Sequence, residues 1–199
     1  MLRFGMLKLY YSPGSSSMAA HIALHEVGAP FEKHAVSVPR KETRTPEFLA
    51  VNPAGKVPVL MIDGRPLTEV AGILYYLART YPAANLLPAG DIEAEAQVIS
   101  WMSYVASTIH PAIRQGVAEA RELYAVADRR LGNRKWILGD RYSIADIHLF
   151  RVYWRFRDQL ERQPGEFPAL EAHHARMLER PAVKKTIEIE SKIGYALPA

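Results

Sequence analysis

Apolar and polar positions alternate near the start of the chain, where Leu7, Leu9 and Tyr11 are separated by Lys8 and Tyr10. This period of two predicts a strand buried on one face. Pro13-Gly14 breaks it, and an apolar run from Met18 to Val27 follows with Ser15, Ser16 and Ser17 as N-cap candidates, so a helix is expected over about 17–27. Gly28-Ala-Pro30 stops that helix and 31–38 reads as a second strand, making a βαβ unit that favours a parallel pair. A polar loop at 39–45, a short helical turn at 46–51 and a tight connection, Asn52-Pro-Ala-Gly-Lys56, lead into a strand over 57–62. Asp63-Gly64 marks a hairpin, 65–68 the returning strand, and a helix opens at Glu69 and runs through Leu77 towards Pro82.

The pattern then changes. Residues 82–90 hold two prolines and a glycine with few periodic positions and read as a linker. From Asp91 onward the apolar positions recur only at helical spacing, predicting helices over 93–121, 122–131, 144–160, 168–179 and 181–192. Ser143-Ile-Ala-Asp146 sets a cap and an acidic third helical residue ahead of Ile147, Leu149 and Phe150, a capping box with Asp in the place of Glu. The chain therefore divides into an α/β domain over 6–81 and an all-helical domain over 91–199, without internal repeats or low-complexity segments.

Composition narrows the chemistry. Of 199 residues 49% are apolar, ample for a packed core, and 25 Lys+Arg against 21 Asp+Glu give +4 with both signs spread along the chain. No basic tail marks a nucleic-acid partner, and no apolar run approaches the roughly 20 residues of a membrane span. Met1-Leu-Arg-Phe-Gly5 is not followed by a secretion-type apolar segment, so a cytoplasmic protein is expected. The absence of cysteine excludes disulfides, thiolate zinc sites, iron–sulfur clusters and a protein-thiol nucleophile, so any sulfur chemistry must use a ligand's sulfur. His21 and His25 have a metal-compatible spacing, but no third ligand is evident; they read as surface or satisfied histidines and no metal is expected. Arg151 and Arg155 flank Trp154 as a like-charged, solvated face.

The candidate chemistry lies at the first break. Three hydroxyls crowd a helix N-terminus whose unpaired N–H groups and partial positive charge suit phosphate, carboxylate or thiolate; a serine-rich cap and nothing more is the structural alternative. The strand-Pro-Gly-Ser-helix opening, Asn52-Pro-x-Gly-x-Val-Pro58, Leu67-Thr-Glu69 before a helix, the linker and Ser143-Ile-Ala-Asp146 stand in the order and spacing of cytosolic glutathione transferases. Across the whole chain the sequence resembles that family, and within it the bacterial beta class most.

The resemblance implies a thioredoxin-like N-terminal domain, an all-α C-terminal domain, a homodimer, and an enzyme that activates glutathione for attack on a small, mostly apolar electrophile held between the domains. A non-catalytic binding or interaction protein on the same fold is the alternative, and a thiol-disulfide oxidoreductase is disfavoured because the protein has no thiol. Free thiols ionise near pH 8.5, and lowering that by about two units is worth roughly 2.7 kcal/mol, within reach of a hydroxyl hydrogen bond and a helix N-terminus. Ser16 matches the beta-class cysteine, whereas serine-type transferases use the serine directly after Pro-Gly, here Ser15; the choice stays open. Tyr10 and Tyr11 are further candidates by analogy with tyrosine-type members, packing of both rings being the alternative. For the tripeptide, the resemblance points to the backbone of Val57 before a cis Pro58, to Glu69 and Val70, and to Lys41 for the glycyl carboxylate. The family usually has Ser where Val70 stands, so only a backbone contact is expected there. His110 aligns with a histidine near the glutathione sulfur, and Ser103, Ser107 and Thr108 on the same helix offer hydroxyls.

Overall fold

The computed structural model describes residues 6–195, so the expectation for the first five residues and the end of the second domain at 199 lie outside the described residues. Strand β1 (Leu7–Tyr11), helix α1 (Ser17–Glu26), β2 (Phe31–Ala35), α2 (Pro46–Val51), β3 (Val59–Ile62), β4 (Arg65–Thr68) and α3 (Val70–Thr80) follow in the expected order. They build a sheet of order β2-β1-β3-β4 in which β1 runs parallel to β2 and antiparallel to β3. The alternation at the start has its expected result: Leu7, Leu9 and Tyr11 are buried under α1 and α3, against Met18, Ile22, Ile73, Leu74 and Leu77. Each such side chain contributes on the order of 1.5–3 kcal/mol by leaving water. On the other sheet face Val36, Phe48, Val57 and Val59 form a smaller cluster with Tyr10 and Met61.

The second half is helical: α4 (Ile92–Tyr104), a π-helical turn (Val105–Ile109), α5 (His110–Ala112), a 3-10 turn (Ile113–Gln115), α6 (Val117–Leu131), α7 (Ile144–Phe156), α8 (Pro168–Leu178) and α9 (Pro181–Ile193). This is a thioredoxin-like α/β domain followed by an all-α domain. Among the boundaries that differ from the sequence reading, three stand out, while the strand expected over 57–62 begins at Val59 and the helix expected over 122–131 begins at Val117. Strand β2 stops at Ala35, because β1 ends at Tyr11; Val36 N makes the final bond to Tyr11 O at 2.8 Å, and Ser37 N turns to the Glu42 carboxylate at 2.6 Å. The helix expected over 93–121 breaks at Gly116, whose φ of 122° and ψ of 158° only glycine adopts cheaply, and Pro111 lacks the N–H that a regular turn would use there. Helix α7 ends at Phe156, not at Leu160, although Leu160 is buried.

The connecting segment is not a free tether, since Leu86 and Leu87 are buried and Leu86 O accepts from Ile144 N at 3.0 Å. One apolar cluster runs from Leu7 on β1 to Val183 on α9, so the two halves share a core. Helix α7 crosses it with Ile147, Leu149, Phe150, Val152 and Tyr153 all buried. Its start is fixed by Ser143, whose Oγ accepts from Ala145 N at 3.3 Å, and by Asp146. The Asp146 carboxylate is wholly buried and accepts from Ser143 N and Ile137 N, each at 2.9 Å, and from His173 Nε2 at 3.1 Å. Asp146 therefore joins α7 to the segment before it and to α8, which is more than a cap does. Asp146→Ala leaves these donors buried and unpaired, and is expected to lower the unfolding free energy by about 2–4 kcal/mol. Urea denaturation measures this, and a loss below about 0.5 kcal/mol would show that the donors find other partners.

Candidate active site

The turn between β1 and α1 is built from backbone constraints. Gly14 has φ of 69°, and a Cβ there would lie 3.0 Å from Tyr195 Cδ1 and 3.2 Å from Arg155 Nη1, so both conformation and space require glycine. Gly14 N donates to Glu190 Oε2 at 2.7 Å, and Glu190 Oε1 lies 2.8 Å from His21 Nδ1. Ser17, wholly buried, closes the turn: its Oγ accepts from Ser12 N at 3.0 Å and donates to Ser12 O at 3.1 Å. Ser15 Oγ accepts from Ser17 N at 3.2 Å and lies 2.7 Å from Ser17 Oγ. With the Ser17 proton directed to Ser12 O, the hydroxyl proton of Ser15 points to Ser17. Ser16 Oγ donates to Val57 O at 3.1 Å. Ser15 and Ser16 are half-buried and line a cleft of about 1100 Å³ between the sheet domain and the helices.

Three further segments of the first domain reach this cleft. Lys41 stands at φ 59° before a 3-10 turn. Asn52 ties the next loop together, its Nδ2 donating to Lys56 O at 2.7 Å and its Oδ1 accepting from Ala54 N at 3.1 Å, just before the cis Val57–Pro58 bond. Glu69 has φ of 66° and ψ of 125°, a strained conformation of the kind that clusters at functional sites. Helix α3 behind it has no side-chain cap, and Val70 and Ala71 border the cleft, so its opening N–H groups suit an anion.

The opposite wall comes from the helices. Ala106, His110, Pro111 and Ile113 line it from the π-helical turn onward, and His148, Arg151, Arg155 and Phe156 from α7. Tyr11, Ser103, Ser107 and Thr108, all expected at a ligand, do not line the cleft. The π-helical turn and Pro111 present Ala106 and His110 instead, leaving Ser103 and Ser107 exposed, with Ser107 Oγ donating to Ser103 O at 2.8 Å. The Tyr11 ring packs 4.9 Å from His21, and its phenol is pushed up by burial and by Glu190, which removes it as an acid at neutral pH. Tyr10 packs on His34 and Phe48. His21 is a core residue bonded to Glu190, not a surface one, and the described residues hold no cluster of three metal-capable side chains.

Arg151 overturns its reading as part of a solvated face. It is 3% exposed and donates from Nε to Ser15 O at 2.9 Å and from Nη2 to Gly14 O at 3.5 Å, while Nη1 lies 3.4 Å from His110 Nε2. A signal was available: the neighbouring positions from Ile147 to Phe156 are mostly apolar, so an arginine among them is surrounded by buried ones. Lys41, Arg44, Lys56, Arg114, Arg151 and Arg155 line the cleft against the carboxylate of Glu69, which makes it electropositive. Burial, reinforced by Arg151, Arg114 and Lys56, lowers His110 to about 4. Burial with Arg151 and His110 lowers His148 to about 3. Both rings are neutral near pH 7. The arrangement can hold an extended anionic molecule along the first domain and ionise an acidic group beside Ser15 and His110.

Comparison with known proteins gives two matching family models, the glutathione S-transferase N-terminal domain over residues 9–85 and the glutathione S-transferase C-terminal domain over residues 99–181. The chain is 32% identical to glutathione S-transferase GstA of Escherichia coli O157:H7, covering 92% of this chain and 98% of that one. It is 40% identical to a maleylacetoacetate isomerase of Rhizobium meliloti over 128 residues, covering 64% of this chain and 59% of that one. Among solved structures it is similar to a sphingomonad glutathione S-transferase complexed with glutathione, with a TM-score of 0.81 and 36% identity over 92% of this chain and 98% of that one.

The buried histidines make stability depend on pH. His25, His110 and His174 are lowered to about 4 and His148 to about 3, in each case chiefly by burial. Unfolded, these rings titrate near pH 6.5, so between about pH 6.5 and 4 the unfolded chain binds more protons than the folded one. Stability is therefore complete above that window and is lost as the pH falls through it. Melting temperatures recorded from about pH 8 down to pH 4 are expected to hold level and then fall below about 6.5; a level profile throughout would show that the rings are not held neutral.

Proposed function

The chain belongs to the glutathione S-transferase family, and from that premise we propose that it binds glutathione in this cleft and ionises the thiol for attack on a small electrophile. The observation that carries the reading is convergence: the serine turn at the N-terminus of α1, Lys41, Val57, the Glu69–Val70 opening of α3 and His110 meet in one electropositive cleft. The charges of glutathione fit it. Lys41 takes the glycyl carboxylate, the uncapped N–H groups of α3 take the γ-glutamyl carboxylate, Glu69 takes the ammonium, and the Val57 backbone pairs with the peptide. The sphingomonad complex supports the same ligand for this chain.

Ser15 is the proposed thiolate partner. Its hydroxyl can rotate away from Ser17 Oγ towards a sulfur while still accepting from Ser17 N, whereas Ser16 must give up the carbonyl of Val57. The thiol proton goes to solvent. The sulfur then forms its bond to carbon as a leaving group departs with its electron pair or, in an addition, as an activated double bond takes up a proton. Ala106, Pro111, Ile113 and Phe156 supply apolar walls for the electrophile beside Gln159 and Arg114. Similarity to the Rhizobium isomerase supports a second reading, in which sulfur adds to a double bond and leaves again without net transfer. A panel of electrophiles with product analysis separates the two, and binding without turnover of any of them marks the non-catalytic alternative.

Ser15→Ala is expected to lower turnover about 10–100-fold with glutathione binding retained, the effect of losing a charge-assisted hydrogen bond of roughly 1.5–3 kcal/mol. The check is the pH dependence of thiolate absorbance in the wild type, Ser15→Ala and Ser16→Ala with glutathione bound. Equal thiol pKa values in all three would remove both serines from the activation step. We further infer a two-fold dimer, supported by the exposed side chains of Ile92 and Ile99 on α4, which are 86% and 48% exposed. Sedimentation at micromolar concentration should give twice the chain mass, and a strictly monomeric mass would overturn it.

A further inference from the structure

Resting on the glutathione reading, we infer that Arg151 is a positioning residue for thiol activation: its guanidinium fixes His110 as the neutral tautomer protonated on Nδ1, so that this N–H is the donor offered to the sulfur. The contact leaves little choice of tautomer. Arginine only donates, so the 3.4 Å approach of Arg151 Nη1 to His110 Nε2 requires the lone pair of Nε2 and places the ring proton on Nδ1. Nδ1 itself has no protein partner and is not among the buried atoms that lack one, so it is open to the cleft that His110 lines. The opposite tautomer would set two donors against each other and turn a lone pair towards a developing thiolate.

The surroundings hold this state. His110 is faced by Arg151 and His148 from α7, by Arg114 from the turn after α5 and by Lys56 from the loop before β3; Arg151 is faced by Arg155, Tyr124, His148 and Glu190. Among the described residues no carboxylate forms an ion pair with either side chain. Glu190 is engaged by Gly14 N and His21. A protonated His110 would therefore stand against cations alone. The ring of Phe156 lies 6.0 Å from that of His110 and 5.8 Å below the Arg151 guanidinium, which packs the pair in place. Because Arg151 Nε also holds Ser15 O at 2.9 Å, one side chain sets the placement of both candidate sulfur donors. Arginine can do this and lysine cannot, since only the fork reaches the carbonyl and the imidazole together.

The test begins with the ligand-free protein. Nitrogen-15 spectra of His110 should show the Nδ1-protonated tautomer at neutral pH, and an Nε2-protonated ring would overturn the inference. Arg151→Gln should scramble that tautomer and raise the pKa of bound glutathione by about one unit, roughly a tenfold loss of thiolate at neutral pH. Arg151→Lys keeps the charge but not the fork, so it should fail to restore either signal; full restoration by lysine would show that charge alone matters and overturn the positioning role. In a His110→Asn background Arg151→Gln should leave the thiol pKa where His110→Asn alone puts it, and a further shift would show a route that bypasses His110. Should Arg151→Gln fail to fold, the wild-type tautomer and the lysine variant still decide. A wild type that binds glutathione without lowering its thiol pKa sinks the proposed function, whereas a lowered pKa that Arg151→Gln does not move sinks only this inference.

Discussion

The cleft depends on how the Pro13-Gly14 turn is held, and it is held from the far end of the chain. Gly14 N is buried, and a buried N–H without an acceptor costs about 1–3 kcal/mol. Its acceptor is the Glu190 carboxylate on α9, at 2.7 Å, and the other carboxylate oxygen is occupied by His21 on α1. Arg151 on α7 then takes the carbonyls of Gly14 and Ser15. Donor and acceptor groups of a first-domain turn are thus satisfied by two helices of the second. Neither half presents the serines correctly without the other, which agrees with the shared core from Leu7 to Val183.

The same arrangement sets the electrostatics. Arg151 is wholly buried and burial lowers it to about 9, low for an arginine yet still protonated at neutral pH. Glu190, already engaged by Gly14 and His21, offsets only part of that burial, and the field of Arg151 adds to burial in keeping His110 and His148 neutral. A positive potential is left at the end of α1, where the helix N-terminus adds to it. The position suits an anion formed in place, and a sulfur there need not be protonated by a neighbouring acid, since neither ring carries the extra proton.

Much of this was legible in the sequence, for identifiable reasons. The period-two pattern of β1, the Asp63-Gly64 hairpin and the Ser143–Asp146 box are local devices, and each element stands where those residues put it. Gly116 was missed because apolar positions continue past it, and a break by backbone conformation leaves no gap in that pattern. Among the site residues, those adjacent in sequence to a structural break, Ser15, Ser16, Val57 and Glu69, could be found by reading breaks. Arg151 and Glu190 could not, because their partners are Ser15, Gly14 and His21, far away in the chain. Long-range pairing leaves no local pattern, although a charged residue inside an otherwise apolar helix face marks that a partner must exist.

An arrangement of this kind has a cost in the free protein. Arg151 is desolvated with no carboxylate among the described residues paired to it directly, Glu69 is held in a strained conformation, and α3 lacks a side-chain cap. Each term disfavours the folded state, and an anion placed where glutathione is proposed to sit meets the first and the last of them, the cation and the unpaired N–H groups. A ligand that binds only the folded chain adds stability as RT ln(1 + [L]/Kd), about 2.7 kcal/mol at a hundredfold excess over Kd. The cleft and the fold are therefore coupled through the same few groups: what makes the turn costly to form without ligand is what makes it selective for an anion when ligand is present.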